Sequence, residues 1–379
     1  MAKIVDLFCG CGGFGLGAKQ AGFEVVVAVD IDATLQSAYE RNFPNTRVET
    51  GDLSLMGKAE WDKLLQGHEI DGVIGGPPCQ GYSRMGKGNP NDPRRSLIRH
   101  FFRTVNIISP KFFVMENVEG LLDGKNIQEL TDAISLADKK YVVLPPTIVD
   151  ASRFGAPTKR KRVVVIGYDP LALEGFSELD ILAINEAQVT VRDAISDIGE
   201  PIPQDKDKSN YGWGRYRKNA LPSTYALKMR SKPSNEMGWA VALDYLAKGY
   251  VSGYFDTTHL PEVAARYGSI QPGQTDPVSR AKKLSWNGMC PTLRAGTGAD
   301  KGSHQAVRPL HPSKPRVITV REAARLQGFP DWFCFHNTKW HSFRMIGNSV
   351  SPLVSEGVLN LLYKKLKQSA KVRQVKKAA

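Results

Sequence analysis

The chain has 379 residues, of which 41% are hydrophobic, so it is long enough to form two or three domains with an ordinary packed core. Its formal net charge of +13 favours a polyanionic partner, because lysine and arginine side chains neutralise phosphates and release counterions. The five cysteines argue against a disulfide framework, and the lack of a signal peptide or a long apolar run predicts a soluble, cytoplasmic protein.

Up to about residue 170, short apolar runs alternate with amphipathic segments. The apolar runs predict six strands, at Lys3–Phe8, Glu24–Val29, Asp71–Ile74, Lys111–Met115, Tyr141–Leu144 and Arg162–Gly167. Helical patterns lie between them, for example over Leu97–Ile108 and Ile127–Ala137. This alternation predicts an α/β fold, with a parallel, doubly wound sheet that carries helices on both faces.

A glycine-rich run, Phe8-Cys9-Gly10-Cys11-Gly12-Gly13, follows the first predicted strand and opens a helix. Its glycines let a ligand approach the backbone, and the free amides of a helix start favour a negatively charged group. Two acids follow: Asp30 ends the second strand, where it could accept a ribose hydroxyl, and Asp52 lies further on. These features predict a nucleotide-like cofactor, but they do not distinguish NAD from S-adenosylmethionine.

A pair of prolines after the third predicted strand places one cysteine at the edge of the sheet. The segment reads Gly75-Gly76-Pro77-Pro78-Cys79-Gln80-Gly81-Tyr82-Ser83. Because prolines favour neither strand pairing nor helix continuation, the chain must turn out at the end of the strand. Open α/β sheets keep their sites at the carboxyl edge, so we predict that the Cys79 thiol is a nucleophile and not a core residue.

From about residue 190 to 310 the alternation fades, and the chain becomes richer in glycine, proline, aromatic and lysine residues. Residues 204–233 carry eight lysines or arginines against two aspartates, with four interleaved aromatic residues. Such a mixture is typical of contact with a nucleic-acid backbone and its bases, but it fits a solvated loop with core aromatics equally well. A helix is then predicted over Val354–Leu366, followed by a basic tail, 367–379, that we expect to be disordered.

Six segments resemble, in the family's order, the motifs of the cytosine-C5 DNA methyltransferases. They are Asp6–Gly13, Pro77–Gln80, Met115–Val118, Arg160–Arg162, Arg321–Pro330 and Gly347–Val350. Together they span nearly the whole chain apart from the central block and the tail. The resemblance implies a Rossmann-like, S-adenosylmethionine-dependent methyltransferase sheet whose last strand inserts antiparallel, with a smaller, irregular target-recognition domain.

The resemblance also implies a division of the chain. Residues 1–185 are expected to form the catalytic and cofactor-binding domain, and residues 186–310 the target-recognition domain. Residues 311–366 are expected to return and complete the catalytic domain. The expected cofactor is S-adenosylmethionine, converted to S-adenosylhomocysteine, with no metal.

The resemblance implies that both ends of the chain contribute to the cofactor pocket. Asp52 resembles the family's contact to the adenine amino group, and apolar side chains are expected to wall the adenosyl group. Asn348 and Ser349 are expected to close the pocket from the C-terminal side. The full set of expected cofactor contacts is Phe8, Cys9, Gly10, Cys11, Gly12, Gly13, Asp30, Ile31, Asp52, Leu53, Pro78, Leu97, Asn348 and Ser349.

Four residues are assigned to the chemistry by the resemblance. Cys79 is expected to add to C6 of cytosine, because thiolate addition makes the poorly nucleophilic C5 enamine-like. Glu116 is expected to supply a proton to N3, and Arg162 to donate to O2. Arg160 is expected to orient neighbouring groups or a phosphate. The chain departs from the family at Thr158, where glutamine is usual, and this puts the setting of the arginine pair in question.

A cytosine inside a duplex is out of reach of such a pocket, so the base must be flipped out of the helix. The glycine-rich, basic loop at 81–89 is expected to close over DNA. The residue that fills the vacated space is left open, with Gln80 or a loop residue as candidates. The expected DNA contacts are Gln80, Ser83, Arg84, Lys87 and Thr292.

The sequence therefore predicts a DNA cytosine-C5 methyltransferase of bacterial type that acts on double-stranded DNA as a monomer, with or without a partner restriction endonuclease. One alternative is an RNA methyltransferase on the same scaffold, although the chain lacks the Cys-Phe-Thr tripeptide of the tRNA-directed group. A second is a non-catalytic DNA-binding regulator, against which the intact Cys79, Glu116, Arg162 and Asn348 argue. Amino-methylating enzymes are disfavoured because they carry an aromatic residue where this chain has Cys79-Gln80.

Overall fold

The structure, a computed structural model, describes most of the chain. The described residues are 1–78, 93–173, 175–205, 207, 209–234, 236–295 and 308–378. Five residues with predicted roles, Cys79, Gln80, Ser83, Arg84 and Lys87, lie outside them.

The fold is built on one eight-stranded sheet. Its strands are β1 (Lys3–Leu7), β2 (Glu24–Asp30), β3 (Arg47–Thr50), β4 (Gly72–Gly75), β5 (Phe112–Asn117), β6 (Val142–Val143), β7 (Thr147–Asp150) and, after the short β8 (Thr158–Lys159), β9 (Lys161–Tyr168). The order is β3-β2-β1-β4-β5-β9-β6, with β7 also paired to β9. The pairs among β1 to β5 are parallel, whereas β9 runs antiparallel to β5, β6 and β7. The predicted sheet and its antiparallel last strand are therefore confirmed.

Thirteen helices are present in the described part of the chain. They are α1 (Gly13–Gln20), α2 (Ala33–Asn42), α3 (Lys58–Leu65), α4 (Leu97–Ile108), α5 (Asn126–Ile134), α6 (Glu178–Leu182), α7 (Val191–Ile195), α8 (Thr224–Arg230), α9 (Ala240–Ala247), α10 (Pro261–Ser269), α11 (Val320–Gln327), α12 (Lys339–Asn348) and α13 (Pro352–Ala378). The predicted helix over Leu97–Ile108 is α4. The predicted helix over Ile127–Ala137 is α5, which begins one residue earlier and ends at Ile134 because the chain turns there.

Side chains of β1 alternate between two apolar layers, as a doubly wound sheet requires. Ile4 faces the layer that holds α1 and α13, whereas Val5 and Leu7 face the layer of α3 and α4. The last helix, α13, packs along α1. The C-terminal segment therefore completes one face of the sheet that the N-terminal half begins.

Helix α13 continues to Ala378 and so extends beyond the predicted end at Leu366, into the range where a disordered tail was expected. No glycine or proline follows Gly357, so the sequence contains no helix breaker there. Arg373 donates a hydrogen bond from Nη1 to the carbonyl of Leu171 at 2.5 Å, and Lys365 donates to the carbonyl of Gly175 at 2.7 Å. These contacts hold the helix against the first domain.

The central block contains short helices, α7 to α10, and strands of two residues. Strand β10 (Gly214–Arg215) pairs antiparallel with β11 (Tyr250–Val251), and β12 (Cys290–Pro291) pairs parallel with β8 of the first domain. A buried ion pair joins this block to α11: Arg325, in α11, contacts Asp197 of the block at 3.2 Å. Arg325 also contacts Asp331, which follows α11, at 2.6 Å. The irregular region is thus fixed to the catalytic part by β-pairing and by buried charge, although its predicted domain bounds remain a prediction.

Candidate active site

A cavity of about 330 Å³ opens at the carboxyl edge of the sheet. It brings together predicted residues that are far apart in the sequence: Phe8, Cys9, Gly10, Cys11, Gly13, Asp30, Ile31, Asp52, Leu53, Pro78, Leu97, Glu116, Arg160, Arg162, Asn348 and Ser349. Gly12 is the one residue of the predicted glycine-rich run that does not line it. One concave site therefore contains both the predicted cofactor contacts and the described catalytic candidates.

The glycine-rich run forms the turn between β1 and α1. Gly10 and Gly12 both have positive φ, of 52° and 96°, the region that glycine adopts without strain. A Cβ at Gly12 would lie 2.5 Å from the Phe43 ring, whereas a Cβ at Gly10 would meet no heavy atom within 4 Å. Gly12 is thus needed for packing beneath the loop, while Gly10 leaves open space on the side of the cavity.

A buried carboxyl group lies beneath this loop. Asp6, in β1, is fully buried, and its Oδ2 accepts a hydrogen bond from the Tyr39 hydroxyl at 3.2 Å. Burial raises the pKa of Asp6 from 3.8 to about 8, and the nearby charge of Asp30 adds to this rise. The carboxyl group therefore favours its neutral form in the folded protein and its ionised form in the unfolded chain at neutral pH.

We expect Asp6→Asn to remove a pH-dependent penalty on folding. The pKa of Asp6 is higher in the folded than in the unfolded state. Its favourable contribution to the free energy of unfolding is therefore complete below pH 4 and is lost as pH rises through about 8. As pH rises from 5 to 8, the free energy of unfolding of Asp6→Asn, measured in urea, should increase by about 1 to 3 kcal/mol relative to that of wild type. Asp62→Asn, an exposed carboxylate on α3, is the control. A parallel pH dependence of the Asp6→Asn and wild-type proteins would contradict the prediction.

Asp30 and Asp52 lie on the same side of the cavity, in different settings. Both Asp30 oxygens accept backbone hydrogen bonds, from the amides of Gly10 and Asp32, each at 2.9 Å. Burial raises the pKa of Asp30. Asp52 is more exposed to solvent, and hydrogen bonds from Ser54 lower its pKa. Ile31, next to Asp30 in the chain, lines the cavity and has 69% of its surface exposed.

The C-terminal segment closes the cavity from the other side. The Ser349 hydroxyl donates to the carbonyl of Met345 at 2.7 Å and lies within hydrogen-bond distance, 3.0 Å, of the Cys11 sulfur. The buried Arg160 guanidinium donates to the carbonyls of Ser349, Gly347 and Leu293 at 2.9 to 3.2 Å. Arg160 therefore links the backbone on either side of Asn348 to Leu293 of the central block.

Glu116 and Arg162 form an ion pair at the floor of the cavity. Arg162 Nε lies 2.9 Å from Glu116 Oε1, and the two side chains are only 17% and 10% exposed. Antiparallel pairing of β5 with β9 brings them together. The neighbouring Asn117 donates to the carbonyl of Pro77 at 3.1 Å. The carboxylate and the guanidinium therefore lie beside the described start of the segment that leads to Cys79.

Thr158 occupies the position where the sequence departs from the family pattern. It is fully buried in β8, and its hydroxyl donates to the carbonyl of Cys290 at 3.2 Å. Thr292, next to β12, donates to the carbonyl of Lys159 at 2.8 Å. Both threonines therefore join the central block to the catalytic part. The two arginines have partners other than the Thr158 hydroxyl: Arg160 donates to backbone carbonyls, and Arg162 pairs with Glu116.

Thr158→Val should weaken this junction without altering the catalytic groups. Valine fills the same space but removes the hydrogen bond of the buried hydroxyl to the Cys290 carbonyl, so we expect a loss of about 1 kcal/mol in the free energy of unfolding. Denaturant unfolding measures the loss. Thr292→Val, at an exposed hydroxyl, should be less destabilising, and the reverse order would show that the buried bond does not stabilise the junction.

The aromatic residues of 204–233 have mostly structural contacts. The Tyr216 hydroxyl donates to Asp331 at 2.6 Å, with the Arg230 guanidinium 3.7 Å from its ring centre. The Tyr225 hydroxyl donates to the carbonyl of Arg325. Trp213 stacks on Tyr245 with ring centres 4.1 Å apart. The exposed cations Arg215, Arg217 and Lys218 remain as candidates for nucleic-acid contact.

Several cavity residues were not predicted from the sequence. They are Phe14, Asp32, Leu35, Gly51, Gly76, Pro77, Asn117, Val118, Arg344, Met345, Gly347 and Val350. Pro77, Asn117, Val118, Gly347 and Val350 lie within the quoted motifs, where no cavity role was assigned to them. Phe14, Asp32, Gly51 and Gly76 lie within two positions of a predicted cavity residue. Arg344 lies four residues before Asn348, one helical turn away, and this spacing is the only signal that pointed to it.

Two kinds of feature are absent from the described residues. No cluster of three or more histidine, cysteine, aspartate or glutamate side chains in those ranges could hold a metal ion. Within the same ranges, no helix combines the length and the apolar character needed to cross a bilayer.

Comparison with known proteins gives consistent matches along almost the whole chain. A family model described as C-5 cytosine-specific DNA methylase matches residues 2–364. The Type II methyltransferase M.XorII of Xanthomonas oryzae pv. oryzae is 40% identical over 377 residues, which cover 96% of this chain and 85% of that protein. M.DdeI of Desulfomicrobium norvegicum is 30% identical, with 94% and 87% covered.

Solved structures agree with these matches. A crystal structure described as a prophage-encoded DNA modification methyltransferase of E. coli has a TM-score of 0.85 and 39% sequence identity, and covers 97% of this chain and 100% of its own. The Dnmt2 methyltransferase of S. pombe has a TM-score of 0.57 and 16% identity, with 97% and 99% covered, and shows likeness of fold alone.

Proposed function

The chain belongs to the C-5 cytosine-specific DNA methylase family, and from this membership we propose that it methylates C5 of a cytosine flipped out of a specific duplex DNA sequence. The observation that carries the proposal is the buried Glu116–Arg162 pair, which shares one cavity with the glycine-rich loop and Asp30. Hydride transfer to a nicotinamide needs no such pair beside a cysteine-bearing loop, so the geometry favours the methyltransferase over a dehydrogenase.

The cavity residues fit S-adenosylmethionine, the methyl donor that the family implies. Open space above Gly10 and the free amides at the start of α1 suit the carboxylate of its amino-acid part. Asp30 is fixed by two amides at the end of β2, where it would accept the ribose hydroxyls, and Asp52 lies further along the same wall. Ile31, Leu53 and Leu97 would enclose the base. When bound, S-adenosylmethionine supplies the methyl group.

In the proposed mechanism the Cys79 thiolate forms a bond to C6 of the cytosine, and Glu116 gives a proton to N3. The C5=C6 electron pair then becomes available at C5, which takes the methyl group as the bond between that methyl and the sulfonium sulfur of the donor breaks, with its electron pair staying on the sulfur. Loss of the C5 proton, to water by default, restores the double bond and expels the thiolate, while N3 returns its proton to Glu116. Arg162 donates to O2, where negative charge develops, and its ion pair with Glu116 fixes both groups.

Access to the base requires that it leave the duplex. We propose that the loop at 81–89 closes over the flipped base, and that exposed cations of the central block contact the DNA backbone. The curated relatives bear the name Type II methyltransferase, and we extend this to a role in restriction-modification, in which methylation protects a recognition sequence.

Expression in a methylation-deficient host, followed by base-resolution sequencing of 5-methylcytosine, tests the proposal. We expect methylation confined to one short sequence motif, which would establish the reaction and its specificity together. Soluble protein that binds S-adenosylmethionine but leaves genomic DNA unmodified and methylates tRNA would overturn the choice of substrate. Tight sequence-specific DNA binding without any methyl transfer would instead support a regulator.

A further inference from the structure

An ion pair at the mouth of the cavity joins the two ends of the chain. Arg344, in α12, places Nη2 at 2.6 Å from Oδ2 of Asp32, and the side chains are 31% and 24% exposed. Both residues line the cavity. The pair lies at the rim, unlike the buried contacts of Arg160 and Ser349, which hold the same C-terminal segment further inside.

Asp32 connects this ion pair to the cofactor-binding wall. Its Oδ1 caps α2 by accepting from the amides of Thr34 and Leu35, at 3.0 and 3.2 Å, which leaves Oδ2 for Arg344. Its own amide donates to Oδ1 of Asp30 at 2.9 Å. The turn that holds Asp30 is therefore fixed on its outer side by Arg344.

The other two arginines that line the cavity within the described ranges have different partners. Arg160 donates to backbone carbonyls, and Arg162 is paired with Glu116. Arg344 is thus the cation beside the two neighbouring acids, Asp30 and Asp32. Without it, the carboxylate of Asp32 would repel that of Asp30, because the charge on Asp32 already acts to raise the pKa of Asp30.

We propose that Arg344 is a positioning residue for the cofactor: through Asp32 it holds Asp30 in place to accept the ribose hydroxyls. The inference rests on the proposed function, and specifically on the contact of Asp30 with ribose. It requires no contact between Arg344 and the cofactor. Because the pair is partly exposed, salt should weaken it.

The test measures binding of S-adenosylhomocysteine to the full chain by calorimetry. We expect Arg344→Gln to weaken binding by about three- to tenfold, with kcat unchanged at saturating S-adenosylmethionine. Asp32→Asn keeps the oxygen that caps α2 but loses the charge, so it should have the same effect. The double variant should be no worse than either single one, because both remove one interaction. Lys58→Gln, which breaks the exposed pair with Asp62 on α3, is the matched control and should bind as wild type.

Two further ligands distinguish a positioning role of Arg344 from direct contact between Arg344 and the cofactor. The wild-type protein should bind S-adenosylhomocysteine more tightly than its 2′-deoxy analogue. In Arg344→Gln the ratio of these two affinities should fall by the same factor as the affinity for S-adenosylhomocysteine. The loss should persist for 5′-deoxy-5′-methylthioadenosine, which lacks the amino-acid part. A loss confined to ligands with a carboxylate would overturn the proposal in favour of direct contact by Arg344. An unchanged ribose preference would overturn it as well.

Asp30→Asn separates failure of this inference from failure of the proposed function. If Asp30→Asn weakens binding and Arg344→Gln does not, the positioning role is wrong while the cofactor site stands. If neither the wild-type protein nor Asp30→Asn distinguishes ribose from deoxyribose, the proposed contact of Asp30 is itself wrong.

Discussion

Cys79→Ala is expected to abolish methylation, with a fall in kcat of at least about 10⁴-fold. Without the thiolate, C5 of cytosine stays a poor nucleophile, because addition to C6 is the step that makes it enamine-like. Binding of S-adenosylhomocysteine should stay as in wild type, since the cofactor wall is formed by other residues. Turnover is measured as methyl transfer to DNA that carries the recognition sequence.

A covalent adduct provides the second readout. DNA with 5-fluorocytosine at the target should remain bonded to the wild-type protein through denaturing electrophoresis, because fluorine cannot leave C5 as a proton does. Cys79→Ala should form no adduct. Cys334→Ala removes a buried thiol that lies away from the cavity and should retain both turnover and adduct formation. Near-normal turnover in Cys79→Ala would eliminate the covalent mechanism.

Much of the fold could be predicted because its strands are apolar and its loops carry strong local signals. The hydrophobic runs of β1, β2, β4, β5 and β9 stand out in the sequence, whereas β3 (Arg47–Thr50) and β7 (Thr147–Asp150) are short and partly polar and were missed. Edge strands of this kind are stabilised by pairing with a neighbour, and their own composition gives little indication of them.

Site residues could be predicted when the sequence immediately around them forms a recognisable pattern. The glycines of the loop and the acid at the end of β2 lie in such patterns, and the structure places them around one cavity. The contact of Arg344 with Asp32 joins positions about three hundred residues apart, so only the packing of α12 against α2 reveals it. The same holds for Thr158, whose partners lie in the central block.

Glu116→Gln is expected to lower kcat by about 10²- to 10⁴-fold, the usual range for removal of a general acid. Glutamine keeps the size of the side chain and places an amide group where the carboxylate lies beside Arg162 Nε, so the floor of the cavity should keep its shape. It cannot give a proton to N3, and the negative charge that thiolate addition places on the ring would then have no acid to neutralise it.

Because the defect lies in the chemical step, binding of DNA and of S-adenosylhomocysteine to Glu116→Gln should stay close to wild type, and the adduct with 5-fluorocytosine should form more slowly. Glu119→Gln removes a nearby carboxylate that does not line the cavity and should leave kcat unchanged. If Glu116→Gln kept the wild-type rate while Cys79→Ala lost it, the acid at N3 would have to be water. The ion pair at the floor of the cavity would then serve only to orient the base.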